Sequence, residues 1–263
     1  MKIATWNINS VRLRLPLVTR FLRTQSPDVL CLQETKVIND LFPAQALREL
    51  GYAHQAINGQ KGYHGVAIIS RLPFVHQAAH SFCGKDDTRN VSVTFESGIE
   101  LHNFYVPAGG DIADTALNPK FAHKLDFLTE MATRFERRRD RNCPVILVGD
   151  LNVAPLENDV WSHKQLLDVV SHTPVETRLL GEVKAAFDWI DVTRTFVPEG
   201  EKIYSWWSYR AQDWEASDRG RRLDHIWVSP ALKGAAQEHA ILKSARGWTQ
   251  PSDHVPVLAT FNL

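Results

Sequence analysis

The sequence predicts an α/β fold in which two β-sheets pack face to face with helices on their outer sides. Three observations lead there. Short β-branched and apolar runs recur along the chain, amphipathic helical patterns lie between them, and several runs either alternate or are apolar throughout, as strands are when one or both faces of a sheet are covered. The strand runs are KIATWN from Lys2, VLCLQ from Val29, VAIIS from Val66, VSVTF from Val91, LHNFYV from Leu101, VILVG from Val145, HIWV from His225 and VPVLATF from Val255. Helical turns are expected after Arg14, and a helix from Pro43 to a stop at Gly51. The clearest helix begins at Asn118-Pro119, a cap followed by proline at the first helical position, and aligns Phe121, Leu125, Leu128, Ala132 and Phe135 on one face that packs on a sheet. Thr173-Pro174-Val175-Glu176 has the Thr-x-x-Glu form of a capping box and opens another.

With 263 residues, 44% of them hydrophobic, and no long linker or low-complexity run, one globular domain over residues 1–263 is expected. Thirty basic and thirty acidic residues cancel, so net charge gives no sign of a nucleic-acid partner. It excludes none either, because charges can be sorted onto separate faces. Cys31, Cys83 and Cys143 are odd in number and far apart, which fits neither a disulfide framework nor a cysteine-based zinc site. The chain runs from Met1-Lys2 straight into a strand, with no signal-peptide stretch and no window approaching a membrane span, so a soluble cytoplasmic protein is expected.

One polar design recurs at the strand ends. KIATWN ends in Asn7, with Asn9 just beyond; VLCLQ leads to Glu34; LHNFY delivers Tyr105; VILVG delivers Asp150 and Asn152. Asp224 sits in RRLDHIWV, and Asp253-His254 open the final strand. A hydrophobic strand is a rigid mount, and the loops at sheet edges are where sites are built. The residue types suit phosphoester chemistry with a hard metal: carboxylates such as Glu34 match Mg²⁺, which prefers oxygen ligands, and the lack of a His or Cys cluster argues against zinc.

TWNINSVR, DVLCLQETKV, GQKGYHGVAIISR, ILVGDLNVAP, YSWWSYR, RGRRLDHIWVS and PSDHVPVLATF stand in the order found in the exonuclease III family of DNA repair nucleases, which the chain resembles over nearly its whole length. That family lies within the endonuclease/exonuclease/phosphatase superfamily. The resemblance implies a four-layer α/β sandwich of the DNase I-like kind, with two central mixed β-sheets flanked by helices and the site at one edge of both sheets. It also implies a monomer that uses Mg²⁺, with Mn²⁺ as a substitute, and acts on double-stranded DNA at abasic sites and 3′ ends.

By resemblance the metal group is Glu34, Asn7, Asn9, Asp150 and Asp253. Glu34 is the main ligand, Asn7 orients Glu34 and Asp150, and Asn9 is the weaker member because some relatives carry Asp there. Asp150 is the base that activates water and Asn152 holds that water in line. His254, supported by Asp224, donates to phosphate oxygens, with the neighbouring His225 as the competing histidine. Tyr105 reaches a phosphate through its hydroxyl. Trp206, in SWWSY, and Leu223 wall a pocket for an extruded abasic sugar. Arg89, Lys120 and Arg221, with Arg219, Arg222 and Lys61 nearby, are candidates for phosphate contacts. RFERRRDR at the end of the long helix is read as a solvated terminus whose cations suit the helix dipole, outside the site. Two competing readings are a superfamily phosphatase acting on a lipid or inositol headgroup, which GQKGYHGVA, RRLDHIWVS and the Trp loop disfavour, and a non-catalytic nucleic-acid-binding relative, which the presence of Glu34, Asp150, Asn152 and His254 disfavours.

Overall fold

The computed structural model describes residues 1–138 and 140–263, so Arg139 of the RFERRRDR run lies outside the described residues. Two six-stranded sheets form its centre. The first has the order Ala236–Ile241, Val257–Phe261, Lys2–Asn7, Val29–Gln33, Val66–Ser70, His54–Asn58. The second has the order Phe74–Ala78, Asn90–Phe95, Glu100–Tyr105, Val145–Asp150, Asp224–Val228, Ile190–Asp191. Lys2–Asn7 runs parallel to Val29–Gln33, and Glu100–Tyr105 parallel to Val145–Asp150; the other neighbours are antiparallel, so both sheets are mixed.

The continuous apolar runs follow from covering each sheet on both faces. Ile3, Val29, Cys31, Ile146 and Val148 point between the sheets, where they meet Ile68, Val93, Ile226 and Val257. The alternate residues point outward. Ala4, Leu30 and Leu32 pack under Val18, Phe21 and Leu22 of the Leu15–Gln25 helix. Leu147, Phe104 and Trp227 pack under the Pro119–Glu136 and Pro174–Ala186 helices through Phe127, Leu128, Met131, Leu180 and Val183. Burying one such side chain contributes about 1.5–3 kcal/mol, and the order helix, sheet, sheet, helices gives the four layers.

Both expected caps form. Asn118 Oδ1 accepts from the Lys120 amide at 3.0 Å ahead of Pro119. Thr173 and Glu176 close their box, with the Thr173 amide donating to Glu176 Oε2 at 3.1 Å. The buried stripe of the Pro119–Glu136 helix differs from the expected one: Phe121, Lys124, Phe127, Leu128, Met131 and Phe135 are buried, while Leu125 and Ala132 are half-buried. This helix packs against a second helix as well as the sheet, which widens and turns its covered face. The turns expected after Arg14 are an eleven-residue helix. Asp253 and His254 do not open the last strand, which starts at Val257. Their segment pairs instead with the Trp206–Trp207 strand, the Trp207 amide donating to Asp253 O at 2.9 Å and the Val255 amide to Ser205 O at 2.8 Å. Among the described residues, no helix is long and apolar enough to cross a membrane.

Candidate functional site

Strand register gathers the polar residues. The two parallel pairs end side by side, Asn7 beside Gln33 and Tyr105 beside Asp150, so their C-terminal ends deliver Asn7, Glu34, Tyr105 and Asp150 to one edge of the sandwich. Asp224 opens an antiparallel strand opposite Asp150 and reaches the same edge from the other direction. The loop before the last strand then folds back over it: Trp6 Nε1 donates to His254 O at 3.0 Å and Ser252 Oγ to Asn7 O at 2.6 Å. Gly149 is demanded here, because a Cβ at its φ of 143° would lie 2.0 Å from Phe104 O on the neighbouring strand. Asn9, Glu34 and Asn152 all take left-handed backbone, at φ of 48°, 50° and 53°. Non-glycine residues cluster in that region at sites where packing over-determines the backbone.

Asn7 is the clamp. Its Nδ2 donates to Glu34 Oε1 at 2.9 Å and to Asp150 Oδ2 at 2.8 Å, while its Oδ1 accepts from the Asn9 amide at 3.1 Å. Its nitrogen, not its oxygen, faces the two acids, the geometry expected of a residue that orients Glu34 and Asp150. The Tyr105 hydroxyl donates to Glu34 Oε1 at 2.9 Å. Asn152 braces Asp150 twice, amide to Oδ1 at 2.9 Å and Nδ2 to Oδ2 at 3.1 Å, and ties Nδ2 to Val106 O at 2.9 Å. Facing them, His254 Nδ1 lies 2.8 Å from Asp224 Oδ2, which also accepts from Ser205 Oγ at 2.6 Å, and His254 Nε2 lies 3.6 Å from Asp150 Oδ2. The remaining oxygens join a second group: Asn9 Nδ2 donates to Asp253 Oδ1 at 3.2 Å, and Trp206 Nε1 to Asp253 Oδ2 at 3.0 Å.

Burial sets the protonation states. It pushes Asp150 up, the His254 charge pulls it back, Asp224 and Glu34 push it up again, and the result is about 7. Burial works against a charged His254, but Asp224 and then Asp150 outweigh it and raise the imidazole to about 10, so it carries a proton. Burial also opposes the Glu34 charge, yet Lys36 and the Asn7 hydrogen bond hold that carboxyl below its usual range. Tyr105 is driven far above its ordinary value by burial and by Glu34 and Asp150, which keeps the phenol a donor.

This cluster suits a divalent cation. Glu34, Asp150, Asp224 and Asp253 face His254 and Lys36, with Arg246 near Asp253, and when all are ionised the four carboxylates outnumber these three cations. Among the described residues, two groups of side chains are candidates for an ion. Asp150, Asp224 and His254 bring one ligand atom each within 4.8 Å of one another, but the His254 imidazolium already fills that position electrostatically. In the other, Lys36 Nζ sits 2.8 Å from Glu34 Oε2 and 2.6 Å from Asn9 Oδ1, an ammonium among hard oxygen donors. Lys36 and Ser205 were not singled out in the sequence. ETKV displays the lysine two residues after Glu34, whereas the Ser205 hydroxyl reveals itself only through strand pairing.

The competing histidine resolves clearly. His225 is fully buried, hydrogen-bonds through Nε2 to Val153 O at 2.9 Å and takes no part in the cluster. Burial, with Arg222 adding to it, lowers its pKa to about 4. Since the folded state resists a proton that the unfolded chain takes up, His225 costs no stability above pH ~6.5 and destabilises progressively as pH falls from ~6.5 to about 4. The expected loss over that window is up to ~3 kcal/mol, read as a falling melting temperature that a His225→Phe variant flattens. Equal acid sensitivity of parent and variant refutes the assignment.

The basic candidates divide. Arg222 is fully buried and pairs with Asp159 at 2.7 Å and Asp191 at 2.8 Å, which corrects its reading as a phosphate contact. Arg221 spends Nη1 on Val170 O at 2.9 Å and Ser171 Oγ at 2.7 Å while its guanidinium lies 5.1 Å over the Trp206 ring, so it shapes that wall. Leu223 is only 4% exposed and packs with Val160, Leu166 and half-buried Trp206, which puts the two expected wall residues in one apolar cluster with the tryptophan as its open side. Arg89 is buried, paired with Asp87, 2.8 Å from His64 Nε2 and stacked on Tyr105. Together with Tyr63, His64, Lys120 and His123 it lines a cavity of about 600 Å³ that opens beside Tyr105. Lys120, Lys61 and Arg219 are exposed.

The sequence profile of the Endonuclease/Exonuclease/phosphatase family matches residues 4–254. Over 272 residues the chain is 30% identical to exodeoxyribonuclease III of Haemophilus influenzae, covering 99% of this chain and 100% of that one. An AP endonuclease structure from Archaeoglobus fulgidus superposes with a TM-score of 0.91 at 31% identity, and a 3′-5′ exonuclease from Neisseria meningitidis with 0.89 at 32%, each over 100% of both chains.

Proposed function

The chain belongs to the Endonuclease/Exonuclease/phosphatase family, and from that premise we propose that it is an exonuclease III-like DNA repair nuclease, a Mg²⁺-dependent phosphodiester hydrolase acting on duplex DNA at 3′ ends and 5′ to abasic sites. The observation that carries this reading is the Asn7-clamped pair Glu34 and Asp150 facing the His254–Asp224 pair across one sheet edge.

Phosphodiesters resist hydrolysis because their oxygens repel a nucleophile and their alkoxide leaves poorly, so alignment and charge must come from the protein. Glu34 would hold Mg²⁺ with Asn9 and Asp253, on the side where Lys36 now offers its ammonium. When bound, the ion supplies Lewis-acid stabilisation of the phosphate and of the departing O3′. Asp150 takes the proton of the attacking water at its carboxylate; its raised pKa makes it a stronger base than an exposed aspartate, close to the working pH. Asn7 and Asn152 fix that carboxylate's rotation. His254 donates from Nε2 to phosphate oxygens as negative charge grows, with Nδ1 held by Asp224 so that the ring keeps one orientation. Tyr105, protonated throughout, gives its one proton to Glu34 Oε1 and can donate to a phosphate oxygen only by exchanging that bond when Glu34 turns to the ion. The cavity beside it, with Arg89 and Lys120 on its walls, receives the neighbouring phosphate, and the open face of Trp206 stacks an extruded abasic sugar.

One gel experiment tests the reading. Duplexes carrying an abasic site, a blunt end or a 3′-phosphate are incubated with the protein, with and without EDTA, beside an inositol phosphate. Processing of the DNA that EDTA abolishes and Mg²⁺ or Mn²⁺ restores is the expected result. DNA cleavage that survives thorough chelation removes the metal from the mechanism, and release only from the inositol phosphate removes the nuclease.

A further inference from the structure

Lys124 and Glu176 are both fully buried and ion-paired to each other where the Pro119–Glu136 and Pro174–Ala186 helices meet. Burying two charges is costly unless both are paired and hydrogen-bonded, and the partners of each end show what the pair holds.

Lys124 Nζ donates to the carbonyl of Asn152 at 2.8 Å and to that of Ala108 at 3.3 Å. Gly109 leaves the room for it, since a Cβ there would lie 2.9 Å from Lys124 Cδ. Glu176 accepts from the Ser171 amide at 2.9 Å, from the Thr173 amide at 3.1 Å and from Thr173 Oγ1 at 2.7 Å. Asn152 and Ser171 are both non-glycine residues in left-handed backbone, at φ of 53° and 89°. Each is thus held by one end of the pair. The chain continues on both sides. Asn152 braces both oxygens of Asp150, while Ser171 O accepts from the Ala154 amide at 2.8 Å and Ser171 Oγ from Arg221, which lies over Trp206.

We propose that Lys124, held by Glu176, is a positioning residue for the reaction: it pins the left-handed Asn152 turn so that Asn152 keeps the Asp150 carboxylate aimed at the attacking water. The proposal rests on the nuclease reading for its kinetic consequence but not for its structural one. Neither residue touches substrate, so their loss acts on turnover through geometry, where a misplacement of about an ångström is enough to cost one to two orders of magnitude.

The test pairs two variants. Glu176→Gln still accepts from the Ser171 and Thr173 amides but leaves the Lys124 ammonium without its counter-charge, so it is expected to melt several degrees below the parent while Lys124 keeps its bond to Asn152 and kcat stays above that of the double variant. Lys124→Met/Glu176→Gln removes the tether without leaving a lone buried charge. It is expected to melt within a few degrees of the parent, to keep KM within about threefold, and to lose kcat by at least about tenfold at saturating Mg²⁺. Its crystal structure should show Asn152 leaving the left-handed region. A folded double variant with parental kcat overturns the proposal, as does one that fails to fold, because the pair is then a stability device. If the parent itself cleaves no DNA, the nuclease reading fails, and the Asn152 backbone in the variant structure still decides whether the tether exists.

Discussion

Asp150→Asn should lower the rate of phosphodiester cleavage by about 10³-fold at saturating metal, the range expected when a general base is lost from an otherwise intact site. The substitution preserves shape, and with its oxygen at the Oδ2 position it still accepts from Asn7 and Asn152 Nδ2, but its NH2 then meets the Asn152 amide in place of Oδ1, so the proton acceptor is lost and one of the Asn152 braces with it. Stability should move the other way. The folded-state pKa of about 7 lies above that of a free aspartate, so the protonated carboxyl suits the fold, and its contribution is lost as pH rises from ~4 through about 7. A neutral amide escapes that loss, and the variant should melt no lower than the parent at pH 8. Single-turnover rates on a 3′-phosphate duplex and a melting curve together decide the matter. A variant within tenfold of the parent rate shows that Asp150 is not the base, and a variant that melts far lower shows that its role is structural.

Much of this edge is legible in the sequence because each of its residues ends or follows an apolar run. Asn7, Glu34, Tyr105 and Asp150 are the polar terminus of four strands, and parallel pairing of those strands is what aligns their ends. Two edge strands, Phe74–Ala78 and Ala236–Ile241, left no comparable trace, because one side of each faces solvent and His76, Gln77, Gln237 and Glu238 interrupt the apolar pattern. The buried charges were least visible. Arg222 reads as a basic residue in a substrate loop, yet its partners Asp159 and Asp191 are 63 and 31 residues away; Lys124 and Glu176 pair across 52. No local pattern reports a pairing made only when distant elements pack. Lys124 looks like one more exposed lysine until two helices close over it. The histidine choice had the same limit: His225 follows Asp224 directly, but strand alternation turns it to the opposite face, toward Val153, while His254 comes to Asp224 from 30 residues away.

His254→Ala should reduce turnover by about 10²-fold while leaving DNA affinity within a few-fold of the parent, as expected of a donor whose bond strengthens only as charge develops on the phosphate. The geometry makes this loss steeper than that of a single hydrogen bond. His254 is the only cation between Asp150 and Asp224 among the described residues, and without it two buried carboxylates face each other with Asp224 Oδ1 already lacking a partner. One of them should take up a proton, and if that one is Asp150 the base is disabled as well. His254→Gln, which keeps a donor but not the charge, separates the two effects: it should recover part of the hydrogen bond while the acids remain uncompensated, so its turnover should fall between those of the parent and His254→Ala. The fold responds too. A histidine whose pKa is raised to about 10 contributes stability that is complete below pH ~6.5 and is lost as pH rises through about 10, so parent and His254→Ala should differ most in melting temperature at or just below pH ~6.5 and converge in alkali. His225→Phe should leave turnover within a few-fold in the same assays, since that side chain faces Val153 and not the acids. A larger kinetic loss from His225→Phe than from His254→Ala would assign the donor to the wrong ring and with it the direction from which the phosphate is held.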